Sequence, residues 1–161
     1  MTDNNDKRRL IEVTLDPLSI GHGSSDIEHE RKVAIFDLTE ENAFALAARP
    51  EGGPFRLHLS IAEARLVFSV SNDGGERLSD FMLSLTPFRR LVKEYFFVLD
   101  SYHKAIRTAS PSQIETIDMG RRGLHDEASR LLMERLEGKI ETDLPTARRL
   151  FTLICALHWK G

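Results

Sequence analysis

The sequence predicts an α+β fold: an N-terminal strand and helix, a three-stranded antiparallel meander, then three C-terminal helices packed on the sheet. Three observations carry this expectation. Apolar residues alternate in single steps at Leu10 to Leu15 and again through 55–85. At Thr86 the period switches to that of an amphipathic helix. Strands and helices are grouped along the chain, with no run of alternating βαβ units. A chain of 161 residues is long enough for one domain with its own core, expected over 9–161 behind a disordered tail at 1–8.

The elements follow in order. Ile11, Val13 and Leu15 share one face of the first strand, with Glu12 and Thr14 opposite. Pro17 to Ser24 reads as a loop. Ser25-Asp26-Ile27-Glu28 has the form of a capping box and starts a helix that runs to about Asn42. Pro50 to Pro54 forms a second loop. Phe55, Leu57, Leu59 and Ile61 alternate with polar residues, then Leu66, Phe68 and Val70 do the same after a short turn. Asn72-Asp73-Gly74-Gly75 marks the next turn, and Phe81, Leu83 and Leu85 complete the meander.

Thr86 and Pro87 are suited to the N-cap and first position of a helix. Phe88, Leu91, Val92, Tyr95, Leu99, Tyr102 and Ile106 then recur at helical spacing. Ser110-Pro111-Ser112-Gln113 is a second capping box, opening a helix to about Glu137 with a break or kink at Gly120 and Gly123. Lys139 to Glu141 is extended, and Asp143 or Thr146 opens the last helix, which carries Leu150, Ile154 and Leu157.

The formal net charge of -3 conceals an asymmetry. From Thr86 onward there are 13 Lys+Arg and 10 Asp+Glu, a net of +3; before it there are 9 and 15, a net of -6. The halves attract within one fold, or the second offers a basic face to an acidic partner. A single cysteine, Cys155, makes no internal disulfide and too small a sulfur set for a Cys-based zinc site. With no secretory signal and no apolar run of membrane-spanning length, a cytoplasmic location and no membrane partner are expected.

The chain resembles a family of bacterial proteins catalogued as uncharacterised. The resemblance is carried by IEHER at Ile27 to Arg31, GPFRLHLS at Gly53 to Ser60 and LSLTPFRR at Leu83 to Arg90. It extends through the long stretch from Ile106 to Glu127 and through Thr146 to Gly161. It implies membership over most of the chain, and brings no activity, cofactor or catalytic residue with it.

The candidate site rests on three arginine pairs: Arg89-Arg90, Arg121-Arg122 and Arg148-Arg149. Each falls near an expected helix start or break, where the macrodipole already opposes positive charge. Thr86 and Thr146 would cap the first and last of these helices, leaving backbone N–H groups beside guanidinium groups, a combination that binds phosphate or carboxylate. Pairing with the chain's own carboxylates, such as Glu94 or Asp143, is the plainer reading. The leading expectation is a non-enzymatic module binding a protein partner or a small anionic ligand, with no cofactor or metal.

Two alternatives remain. Gly120-Arg121-Arg122-Gly123, as a turn between helices, resembles the loop by which KH domains clamp nucleic-acid backbone, and would bind RNA. Glu28-His29-Glu30 and His125-Asp126-Glu127 would serve acid–base chemistry if the fold brought them into one cleft. Phe97, one turn after Lys93, either packs on another helix or presents an aromatic among cations to a partner. Trp159 docks the C-terminus or anchors a partner.

Overall fold

A computed structural model describes residues 7–157. The expected tail, apart from its last two residues, and Trp159 lie outside them. Arg8, at the end of that tail, is held in place: its Nη2 donates to Glu51 at 2.9 Å and its carbonyl accepts from the Phe44 N–H.

The strands are β1 (Leu10–Leu15), β2 (Phe44–Leu46), β3 (Phe55–Ala62), β4 (Arg65–Asn72), β5 (Arg77–Ser84) and β6 (Ile140–Thr142). The helices are α1 (Pro17–Ile20), α2 (Ser25–Glu40), α3 (Arg89–Thr108), α4 (Pro111–Leu136) and α5 (Leu144–Ala156), with a 3-10 turn at Thr86–Phe88. The fold is α+β, as expected, but the sheet is larger and mixed. Its order is β1-β3-β4-β5, with β1 parallel to β3 and the other pairs antiparallel. The connection through α1, α2 and β2 gives the chain length to return in the same direction, which a hairpin does not allow.

Alternation builds a one-sided sheet. Phe55, Leu57 and Leu59 on β3 and Leu66, Phe68 and Val70 on β4 are buried, while Arg56, His58 and Ser60 face the other way. A register shift between Leu10 and Glu12 lets β1 bury both Leu10 and Val13. The helices cover the apolar face. Among them α5 is the most enclosed, with eight of its residues from Thr146 to Ala156 buried, and it packs against both α2 and α4.

Other boundaries differ from the sequence reading. Pro17–Ile20 is a helical turn capped by Asp16, which accepts from the Ser19 N–H at 3.0 Å. The cap of α2 is Ser24, one residue earlier than expected; Glu28 still reaches back, accepting from the Gly23 N–H at 2.8 Å. The helix stops at Glu40 because Asn42 turns its side chain onto the backbone of Leu10 and Leu38. β2 is an element the sequence pattern does not predict; it pairs antiparallel with β6 and ties the two halves of the chain together.

The largest correction concerns α4. It runs unbroken for 26 residues, roughly 39 Å at the helical rise. Gly120 and Gly123 sit inside it on the exposed side, and a Cβ at either would meet nothing within 4 Å. The Ser110 capping box is present as expected. It and the apolar face centred on Ala128 and Leu132 outweigh two glycines that each cost about 1 kcal/mol of helix propensity. There is therefore no Gly-Arg-Arg-Gly loop to clamp nucleic acid.

Candidate functional site

The arginine pairs occupy three different settings. Only Arg89-Arg90 is at a helix start. The chain enters α3 through the 3-10 turn, and Thr86 makes no side-chain cap there. Arg90 is neutralised by Glu94 at 2.9 Å and Glu127 at 3.1 Å, and these hydrogen bonds hold its pKa above the ordinary guanidinium value. Arg89 is exposed. Arg121 and Arg122 lie in mid-helix and both reach Asp118, at 2.7 and 3.0 Å. The hydrogen bond from Arg121, then the two positive charges, hold the Asp118 carboxyl below its usual range.

Arg148 and Arg149 lie in the second turn of α5, not the first, because the cap is Asp143. Its carboxylate accepts from the Thr146 N–H at 2.9 Å. A built-in anion thus already occupies this helix start. Thr146 is fully buried, and its hydroxyl accepts from the Ala43 N–H at 2.8 Å. It is a structural tie between the two halves of the chain and is closed to a ligand.

What the fold brings together lies at the seam of α4 and α5. His125 is 8% exposed. Its ring stacks on Tyr95 at 5.6 Å between centroids and meets Phe151 at the same distance. Its Nε2 lies 3.0 Å from Thr152 Oγ1, and Thr152 donates onward to the Arg148 carbonyl at 3.0 Å. Arg148 Nε donates to His125 Nδ1 at 3.4 Å, so Nε2 carries the proton and the imidazole is neutral. Burial first, and the Arg148 charge second, push its pKa below the ordinary histidine value. The inner oxygen of Asp126 is 3.5 Å from the same Arg148 Nε, an ion-pair separation without a hydrogen bond. Arg149 donates through Nη1 to the Glu41 carbonyl at 2.9 Å.

These side chains surround a recess of about 240 Å³ lined by His125, Pro145, Arg148, Arg149 and Thr152. Neither Nη of Arg148 has a hydrogen-bond partner among the described residues. Both nitrogens of His125 are engaged, so neither is free to act as a base in this arrangement.

Of the two acid–base stretches, Glu28 is taken up by Gly23 and Arg31, and Glu127 by Arg90. His29 and Glu30 stand on the rim of a separate groove of about 420 Å³ between α2 and α3, floored by Thr152 and Cys155 of α5. Tyr95 and Thr152 separate that groove from His125. Burial pushes the Cys155 thiol well above its ordinary pKa, so the floor carries no thiolate nucleophile. Among the described residues, no three His, Cys, Asp or Glu side chains come together to hold a metal ion. None of the described helices is long and apolar enough to cross a membrane.

Arg31 is the residue that sequence reasoning missed. It is 5% exposed, and its guanidinium donates to the Ala156, Leu157 and Gly21 carbonyls and to Glu28. The signal was present: Ile27, Arg31, Ala34 and Leu38 follow the spacing of a buried stripe, with a cation where an apolar residue belongs.

The chain matches the uncharacterised protein family UPF0262 over residues 7–160. The UPF0262 protein of Xanthobacter autotrophicus is 60% identical over the full length of both chains. That of Rhizobium meliloti is 60% identical over 95% of this chain and 96% of its own. That of Brucella canis is 56% identical over the whole of both. No solved structure matches the chain significantly. The chain therefore belongs to the bacterial family UPF0262.

Proposed function

We propose that this protein is a non-catalytic cytoplasmic binding module whose recess at the α4–α5 seam takes a small anionic group, free or carried by a protein partner. One observation carries the reading: Arg148 is held along its inner edge by His125 and Asp126, while its outer Nη groups stay unpaired among the described residues. A guanidinium fixed at Nε and open at Nη is preorganised for bidentate contact with phosphate, sulfate or carboxylate. Arg149 adds a second charge at the same recess. Neutral His125 adds none, and Asp126 offsets one, so the site favours a singly or doubly charged group over a polyanion.

Arg90, Arg121 and Arg122 are left out of the site because each is already bound to a carboxylate, Arg90 to Glu94 and Glu127, Arg121 and Arg122 together to Asp118. The surface in this reading is the seam between α4 and α5, past the first turn of α5.

Calorimetric titration of inorganic phosphate and of sulfate tests the reading. An Arg148→Ala/Arg149→Ala variant should lose about 2 kcal/mol or more of binding free energy. Arg121→Ala/Arg122→Ala should leave it unchanged. Equal binding by the wild type and the first variant, or none by either, ends the proposal.

A further inference from the structure

The groove between α2 and α3 has shoulders of opposite sign. At about 100° per residue, Asp26, Val33, Phe36, Asp37 and Glu40 share a sector of about 100° on α2, and all five are exposed. On α3, Arg89, Lys93, Phe97, Lys104 and Arg107 share a sector of about 80°, again all exposed. The acid in that second sector, Asp100, is matched by Lys104 at 3.0 Å. Asp26, Asp37 and Glu40 on one side, and Arg89, Lys93 and Arg107 on the other, have no ion-pair partner among the described residues. The acidic shoulder also carries an uncovered aromatic, Phe36 at 62% exposure; Phe97, 74% exposed, lies at the far edge of the basic sector, about 160° around α3 from the groove-lining Leu99. Phe97 is thus the aromatic among cations, and among the described residues it is not buried against a second helix.

We propose that this face pairs with the same face of a second copy of the chain. Across a two-fold axis over the groove, α2 of each protomer would lie against α3 of the other. The charge pattern selects this occupant. A purely basic partner suits α2 but is repelled by α3, and a polyanion suits α3 but is repelled by α2. What fits both is a surface carrying the two signs side by side in the reverse sense, and a two-fold rotation of this face supplies that surface by construction. Every acid-on-base pairing then occurs twice, with Phe36 as an exposed apolar anchor on α2.

The test is the mass of the full chain in solution, measured by sedimentation equilibrium with two charge-reversed variants. Asp37→Lys/Glu40→Lys makes both shoulders basic, and Arg89→Glu/Lys93→Glu makes both acidic. The wild type should weigh twice the 18.3 kDa chain at about 100 µM, and dissociate more readily as salt rises from about 50 to about 500 mM. Each variant alone should associate at least roughly tenfold more weakly, and mixing the two should restore a dimer of one of each. Phe36→Asp should weaken association with circular dichroism unchanged. A monomeric wild type, a dimer indifferent to both reversals, or a mixture of folded variants that stays monomeric would each overturn the proposal.

Discussion

Replacing Arg31 by alanine should destabilise the fold far more than a surface arginine would. Its Nε donates to the Ala156 carbonyl at 2.8 Å and its Nη2 to the Leu157 carbonyl at 3.1 Å, where both residues are buried. These carbonyls belong to the last turn of α5, which has no further helix to satisfy them. They are also the negative end of its dipole, where a cation is favoured. Nη1 adds the Gly21 carbonyl at 2.8 Å. A hydrogen bond from a charged donor contributes about 1.5–3 kcal/mol, and a buried acceptor left without a partner costs about 1–3 kcal/mol. Two such carbonyls therefore set the loss at about 3–5 kcal/mol. Arg31→Lys should fall between, because an ammonium cannot span the same carbonyls with a planar fork. Urea unfolding followed by circular dichroism reads both values. A loss below about 1 kcal/mol for alanine, or a lysine variant equal to the wild type, would refute the reasoning.

Two further outcomes follow from the helices. Gly120→Ala and Gly123→Ala should each stabilise the protein by about 0.5–1 kcal/mol, since the added methyl meets nothing within 4 Å; a lower urea midpoint for both would contradict a continuous α4. Burial and Arg148 hold folded His125 below its ordinary pKa, so as pH falls the unfolded chain takes up this proton first. The contribution from a neutral His125 is complete above about pH 6.5 and declines as pH drops toward the folded-state pKa. The urea midpoint should fall from about pH 7.5 to about pH 5.5 in the wild type and fall less in His125→Gln. Equal slopes would remove His125 as the cause.

Much of the fold could be read directly because its signals are local. The alternation at Phe55 to Ile61 and Leu66 to Val70 becomes β3 and β4 with the expected residues buried except Ile61, which is half-buried at the strand end, and Ser110 with Gln113 caps α4 as read. Failures lie where the decisive partner is distant. The parallel pairing of β1 with β3 joins residues more than 40 positions apart, and nothing in Leu10 to Leu15 specifies direction. β2 has three residues, too few to show a period. Glycine spacing at 120 and 123 mimics a turn because composition cannot weigh a weak break against a long buried face. For the candidate site, the acids matching Arg90 and Arg121 stand three or four residues away, within the reach of sequence reasoning. The contact of Arg148 with His125 crosses between two helices and required coordinates.

The position of α5 has a consequence for biosynthesis. It follows the other described strands and helices in chain order, yet its apolar residues fill the space that α2 and α4 both need filled. While a ribosome is still making Leu144 to Ala156, the strands from Phe55 to Ser84 can pair, but α2 and α4 must wait with greasy flanks bare. A chain halted before that segment is a sticky species, so nascent-chain chaperones should engage this protein late, and release should coincide with emergence of α5.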